Sequence, residues 1–105
     1  MTTNVLARLP GQGEPDLLLL LFHGVGANAE HMAVLATRLA QEYPQAAVLC
    51  VDAPDAFDAA PGGGGRQWFS IQGIDEQNRP ARVAAALPRF IATVRALQLR
   101  FAIDW

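Results

Sequence analysis

Apolar and polar positions alternate in long blocks along the chain, and each block has its own period. Leu17–Phe22 is an unbroken apolar run that stops abruptly at His23-Gly24-Val25-Gly26. Runs this short and this apolar predict a strand buried on both faces, as in a parallel sheet covered by helices. Ala46–Val51 is a second run of the same kind. Between them Met32, Leu35, Ala36 and Leu39 recur at helical spacing, with Glu30, Thr37, Arg38 and Gln41 largely opposite. Asn28 is placed to cap that helix, and Tyr43-Pro44 ends it, because the residue before proline is pushed out of the helical region. Strand, helix and strand with short links make a βαβ unit, expected to be parallel and right-handed. A weaker strand, Asn4–Leu9, precedes it and closes at the Pro/Gly cluster Pro10–Pro15.

The second half reads differently. Residues 52–72 have no regular period and carry the run Gly62–Gly65, which is either slack or function, followed by Arg66-Gln67-Trp68-Phe69. Irregular stretches of this length are uncommon in compact domains and often functional. A long helix follows, with Asn78 as its cap and Pro80 in its first turn. Val83, Leu87, Phe90, Ile91, Val94 and Leu97 form its apolar face, and Pro88 predicts a kink rather than a break. Leu99–Trp105 alternates like the start of another strand. The element order specifies an α/β protein, with residues 1–105 as one partial domain. Two or three strands and two helices leave a face or an edge of the sheet uncovered. Such a chain is expected to self-associate through the open edge or to pack loosely.

Composition narrows the class. The chain is 51% hydrophobic and 17% charged, far from a disordered composition. Its net charge is −2 and its basic residues, all arginines, are scattered, so nothing marks a nucleic-acid surface. Cys50, the single cysteine, lies inside an apolar run and reads as a small core residue. The N-terminus lacks the pattern of a signal peptide, and no apolar run approaches the ~20 residues of a membrane span. A cytoplasmic location is the expectation.

Two chemistries fit the glycines after the first buried strand. Gly24-Val25-Gly26-Ala27-Asn28-Ala29 matches the dinucleotide fingerprint G-x-G-x-x-G/A, with Asp52 ending the next strand where a ribose hydroxyl would be read. Asp52 is somewhat late for that role, and His23 has none in phosphate binding. The glycine run at 62–65 lacks the Lys-Ser/Thr of a P-loop. The other chemistry is an oxyanion loop, in which free backbone N–H groups at the carboxyl end of a strand hold developing negative charge. Asp52, Asp55 and Asp58 read as solvated loop carboxylates, and no metal or other cofactor is called for. A small nucleotide-binding module and a non-catalytic interaction domain that completes its sheet with a partner stand as alternatives.

Leu20-Leu21-Phe22-His23-Gly24-Val25-Gly26, the loop ending Gly65-Arg66-Gln67-Trp68-Phe69-Ser70-Ile71-Gln72-Gly73-Ile74, and the helix start Asn78-Arg79-Pro80-Ala81-Arg82-Val83 together resemble the bacterial phospholipase/carboxylesterase family. These are α/β-hydrolases related to acyl-protein thioesterases, and the resemblance runs from about Leu17 to Leu97. It implies the N-terminal part of a mostly parallel sheet with flanking helices. It also implies a serine esterase that hydrolyses small carboxylic esters or thioesters. By the same resemblance Val25 donates its backbone N–H to the oxyanion, and His23, Gly24 and Gly26 shape the loop. Trp68 and Phe69 lie beside the acyl pocket, with Arg66 among the substrate-binding residues. The family's nucleophile motif, Gly-x-Ser-x-Gly, is absent from these residues. The only serine, Ser70, lies between Phe69 and Ile71 and has no glycine two residues to either side. The chain is therefore expected to carry the oxyanion loop without the triad, and to be inactive by itself.

Overall fold

The computed structural model describes residues 4–105. Its centre is a three-stranded sheet of β1 (Val5–Arg8), β2 (Leu17–Phe22) and β3 (Ala46–Val51), in the spatial order β1-β3-β2. β2 runs parallel to β3 in the register Leu17↔Ala46 to Phe22↔Val51, as the βαβ reading requires. β1 lies antiparallel on the other side of β3, Val5 opposite Val51, which makes the sheet mixed. A strand with neighbours on both sides and helices above and below has no exposed face. Every residue of β3 is accordingly buried, including Cys50.

The two faces of the sheet hold separate apolar clusters. On one, Ala46, Val48 and Cys50 meet Leu19, Leu21, Met32, Ala36 and Leu39 under α1 (Ala33–Glu42). On the other, Leu49 and Val51 meet Leu18, Leu20, Phe22 and Trp68 together with Leu97 and Phe101 of α2 (Arg79–Phe101). Successive side chains of a strand point to opposite faces, so a single strand feeds both clusters. Leu49 is fully buried, and Leu49→Ala at such a site costs about 2–5 kcal/mol.

Helix boundaries follow local chemistry, with some departures from the sequence reading. The segment after Asn28 begins as a 3₁₀ turn, Ala29–Met32, before α1 proper. Asn28 does cap it, its Oδ1 accepting from His31 N at 3.3 Å. Leu35 does not join the buried face: it is 46% exposed, and Ala40 packs in the cluster instead. α2 passes through Pro88 as one helix. Its cap is not the Asn78 side chain but Asp75, whose Oδ1 accepts from Gln77 N and Asn78 N at 2.8 Å each. Asn78 Oδ1 reaches back to Asp75 N at 2.8 Å, so the pair forms a reciprocal capping box.

The expected strand at Leu99–Trp105 is also corrected. Leu99–Phe101 are the last residues of α2, and Ala102 turns left-handed at φ 54°. Ala102 N donates to Leu99 O and Ile103 N to Gln98 O, the two bonds of a Schellman ending. Those bonds satisfy helix carbonyls that an immediate strand would leave unpaired. Within 52–72 the chain is less irregular than its composition suggests. β4 (Asp55–Ala56) and β5 (Arg66–Gln67) pair as an antiparallel ribbon. Among the described residues no helix is long and apolar enough to cross a membrane.

Candidate functional site

The carboxyl ends of β2 and β3 lie side by side, Phe22 opposite Val51, and the chain leaves each of them in a loop. After β2 comes a turn in which Ala27 N donates to Gly24 O at 3.1 Å. Gly26 sits at its third position with φ +83° while Val25 keeps an ordinary φ, which is a type II turn. A left-handed residue is required there, and glycine supplies it without strain.

This turn is fastened to the ribbon loop. Gly26 N donates to Arg66 O at 2.8 Å and Arg66 N to Ala27 O at 2.7 Å. Asn28 Nδ2 reaches Gly64 O at 3.4 Å. The backbones approach so closely at Gly65 that a Cβ there would lie 3.0 Å from Gly26 C and closer still to Gly26 O. So Gly65, at least, is not slack; only a residue without a side chain fits the crossing.

His23 fixes the same loop from below. It is 3% exposed and sandwiched between backbone groups. Its Nε2 accepts from Ala53 N at 2.9 Å, just beyond the end of β3. That bond assigns the proton to Nδ1, which then donates to Gly24 O at 2.7 Å. The ring is a neutral tie between the two strand ends. Trp68 stacks on it with centroids 5.2 Å apart, and Trp68 Nε1 donates to His23 O at 2.8 Å. Phe22 and Phe90 complete the aromatic group, Phe22 meeting Trp68 edge to face at 5.6 Å and Phe90 at 4.9 Å.

The carboxylates are less solvated than expected. Asp52 Oδ1 accepts from Ala29 N at 2.7 Å, stabilising the start of the 3₁₀ turn. Asp55 pairs with Arg89 at 2.7 Å, and Asp58 binds Gln67 Nε2 through Oδ2 at 3.3 Å. Among the described residues no group of His, Cys, Asp and Glu is placed to hold a metal ion.

Every sequence-designated residue thus falls in one region, in different capacities. Arg66 points its guanidinium at backbone, with Nε on Ala53 O at 3.0 Å and Nη2 on Pro54 O at 2.7 Å. Trp68 and Phe69 line a half-open apolar pocket of about 140 Å³ together with Pro54, Val83, Leu87 and Phe90. Val25 is 47% exposed at the crest of the turn, and among the described residues its N–H has no hydrogen-bond partner. The amides at 26, 27, 29 and 31 are bonded, whereas those of Gly24 and Asn28, like that of Val25, have no partner among the described residues. Ser70 lies on the ribbon side, its Oγ accepting from Gln72 N at 3.3 Å. Sequence reasoning missed the Asp52–Ala29 bond, the Ala53 partner of His23 and the Gly65 crossing. Only the last had a signal, a glycine directly before Arg66.

Mixed sheet, helices on both faces and a glycine turn after a parallel strand define the class: this is part of an α/β-hydrolase. A family model for phospholipase/carboxylesterase matches residues 9–101, and the chain belongs to that family. It is 51% identical over 83 residues to esterase YpfH of Escherichia coli (strain K12), a match covering 77% of this chain and 34% of that protein. The solved structure of esterase PE8 superposes with a TM-score of 0.87 at 19% identity, covering 99% of this chain and 48% of that one. The chain therefore spans about a third to a half of the length of these relatives.

Proposed function

We propose that these residues supply the oxyanion loop and part of the substrate pocket of a serine carboxylesterase or thioesterase acting on small carboxylic esters. In this reading the nucleophile and its acid–base partners lie outside the 105 residues. The observation that carries it is an unpaired donor in a fastened turn. Val25 N–H, at the crest of the turn after β2, has no partner among the described residues, while Gly26 N–H and Ala27 N–H, which follow it, are bonded. A donor held still before the reaction stabilises a developing oxyanion without reorganising, which is why such groups contribute so much to rate. Trp68 and Phe69 present an apolar wall for the acyl or alcohol portion, and Arg66 contributes by holding the loop. The same bonding weighs against a pyrophosphate at Gly24–Ala29, because the Gly26, Ala27 and Ala29 amides that would share in cradling it already have partners.

By itself the chain is expected to hydrolyse no p-nitrophenyl acetate above background, and Ser70→Ala is expected to change nothing. The informative test places residues 1–105 in esterase YpfH in place of the matching segment. Position 25 is the second residue of a type II turn, where proline is favoured, so Val25→Pro removes the N–H with little disturbance. Loss of that donor is expected to lower kcat by about a hundred- to a thousandfold with KM less affected, while Val25→Ala keeps most activity. Equal, small effects from the two substitutions would remove Val25 from the mechanism.

A further inference from the structure

Phe57 follows β4 in the ribbon, and its ring belongs to neither apolar cluster of the sheet. Among the described residues it pairs with no other aromatic ring, yet it is half-buried. It lies against the glycine turn. A Cβ built on Gly26 would meet Phe57 Cε2 at 3.4 Å and both Cδ2 and Cζ at 3.6 Å. An apolar ring thus flanks the residue next to Val25, whose N–H has no partner among the described residues. Bonds on either side hold it there. Phe57 N donates to Gly65 O at 2.9 Å, and Gly65 is the residue that crosses Gly26. Asp55 pairs with Arg89 at 2.7 Å, and Asp58 N donates to Gln67 Oε1 at 3.1 Å. Gln67 itself is 5% exposed. A ring carried on so fixed a backbone, and already packed along one edge, has little freedom left to lose on meeting a ligand. That loss otherwise subtracts from an apolar contact.

Resting on the esterase reading above, we infer that Phe57 is a specificity-determining residue, which meets the ester bound at the turn and favours an aryl group beside the ester bond. An ester whose carbonyl oxygen accepts from Val25 N–H presents its acyl and alcohol groups to whatever flanks the turn. Beside Gly26 that is the Phe57 ring. Two aromatic rings meet edge to face or offset and gain more than the area they bury, whereas a methyl group covers little of a ring and gains little. Trp68 is less free to take this part. Its ring is stacked on His23 and its Nε1 is bonded to His23 O at 2.8 Å. Phe57 has no such engagement: its backbone is tied on both sides while its ring touches only a glycine of the turn, which leaves part of the ring open to a ligand.

The test uses residues 1–105 placed in esterase YpfH, with methyl acetate, phenyl acetate and methyl benzoate as substrates. Phe57→Ala is expected to lower kcat/KM by about three- to tenfold on an aryl ester and by less than about twofold on methyl acetate. Loss on phenyl acetate puts the contact on the alcohol side, and loss on methyl benzoate puts it on the acyl side. Phe57→Leu keeps Gly26 covered but removes the flat ring, so it is expected to resemble Phe57→Ala on the aryl ester. Equal loss on all three esters, full rescue by leucine, or no loss on either aryl ester overturns the inference, since packing on the turn alone predicts the first two. Turnover of none of the esters by the unsubstituted protein counts against the esterase reading. The contact is then read from amide shifts of the 105-residue chain titrated with phenyl acetate. Shifts at Val25 and Gly26 that vanish in Phe57→Ala support it, and their absence in the unsubstituted chain overturns it.

Discussion

Gly65→Ala isolates the crossing of the two loops, because glycine at 65 is required by space rather than by backbone angle. Its φ is ordinary, yet an added methyl would lie 3.0 Å from Gly26 C and 3.3 Å from Gly26 Cα, with Gly26 O nearer than real Cβ atoms approach. The obstacle is backbone, so no rotamer change relieves it. Forcing a methylene into such a contact costs about 1–3 kcal/mol. The displaced strands would also strain the bonds Gly26 N to Arg66 O and Arg66 N to Ala27 O, each contributing about 0.5–1.5 kcal/mol. Together the expected loss is about 2–4 kcal/mol. The neighbours serve as controls. At Gly63 the nearest atom to an added Cβ is Ala60 O at 3.7 Å, an ordinary contact, so alanine is expected to be neutral or stabilising by a few tenths of a kcal/mol. Gly62 and Gly64 lie in open space with φ +85° and +78°, where alanine costs about 1 kcal/mol for the left-handed backbone. Urea unfolding followed by tryptophan fluorescence reads the series, Trp68 reporting from beside the crossing. With a slope of about 1–3 kcal/mol per molar urea, Gly65→Ala should lower the midpoint by about 1 M or more. Midpoints for Gly65→Ala and Gly63→Ala that coincide would refute the close approach.

His23→Ala removes the acceptor of a buried N–H at Ala53 and opens a void beneath Trp68; a loss of about 2–4 kcal/mol in thermal or urea unfolding is expected, and a loss below 1 kcal/mol would contradict the tie. Nitrogen chemical shifts should show His23 neutral with its proton on Nδ1; a proton on Nε2 is incompatible with the Ala53 bond. Burial pushes the Cys50 thiol above its ordinary value, with Arg8 partly opposing, so the folded state favours the neutral thiol. That contribution is fully present below the unfolded thiol's pKa and is lost as pH rises through the folded one. Ellman's reagent at pH 8 is expected to react only at the rate of unfolding, and immediate reaction would place Cys50 at the surface.

How much of this was legible in the sequence depended on whether a residue's partners lie close along the chain. β3 was read at its observed bounds because a strand covered on both faces has only one composition. Asn28 was read correctly because its partner is three residues away. Asp75 was overlooked for Asn78, although Asp-x-x-Asn is itself a capping-box spacing; the proline at 80 drew the helix start too late. Leu99–Trp105 alternates in hydropathy, but helix propensity carried α2 through Phe101, and the two closing bonds decided where it ends. Val83, Leu87 and Ile91 were placed on an apolar face by their period, and period cannot say whether anything covers that face. In the structure they remain 40–51% exposed. Asp52 shows the opposite limit: its partner, Ala29 N, is 23 residues away and is a backbone group, invisible to any pattern of side chains.

The same reasoning explains why His-Gly-x-Gly carried meaning only together with Gly-Arg-Gln-Trp. A glycine turn is flexible by itself, and a flexible donor has to be ordered at each turnover, which forfeits the benefit of preorganisation. Here the order comes from outside the turn. Arg66 contributes both its N–H and its C=O to residues 26 and 27, Gly65 permits that approach, and Trp68 closes over His23 and binds its carbonyl. Arg66 in turn reaches Ala53 and Pro54, the stretch whose first amide holds the His23 ring. Each tie depends on the others, so the loop after β2, the exit from β3 and the residues from Gly65 to Trp68 form one body. Gly24–Ala29 taken alone satisfies a dinucleotide pattern as well as an oxyanion pattern, since both ask for a tight turn after a strand. What weighs toward the oxyanion reading is that the second segment takes up the Gly26 amide and leaves the one at Val25, at the crest of the turn, without a partner among the described residues.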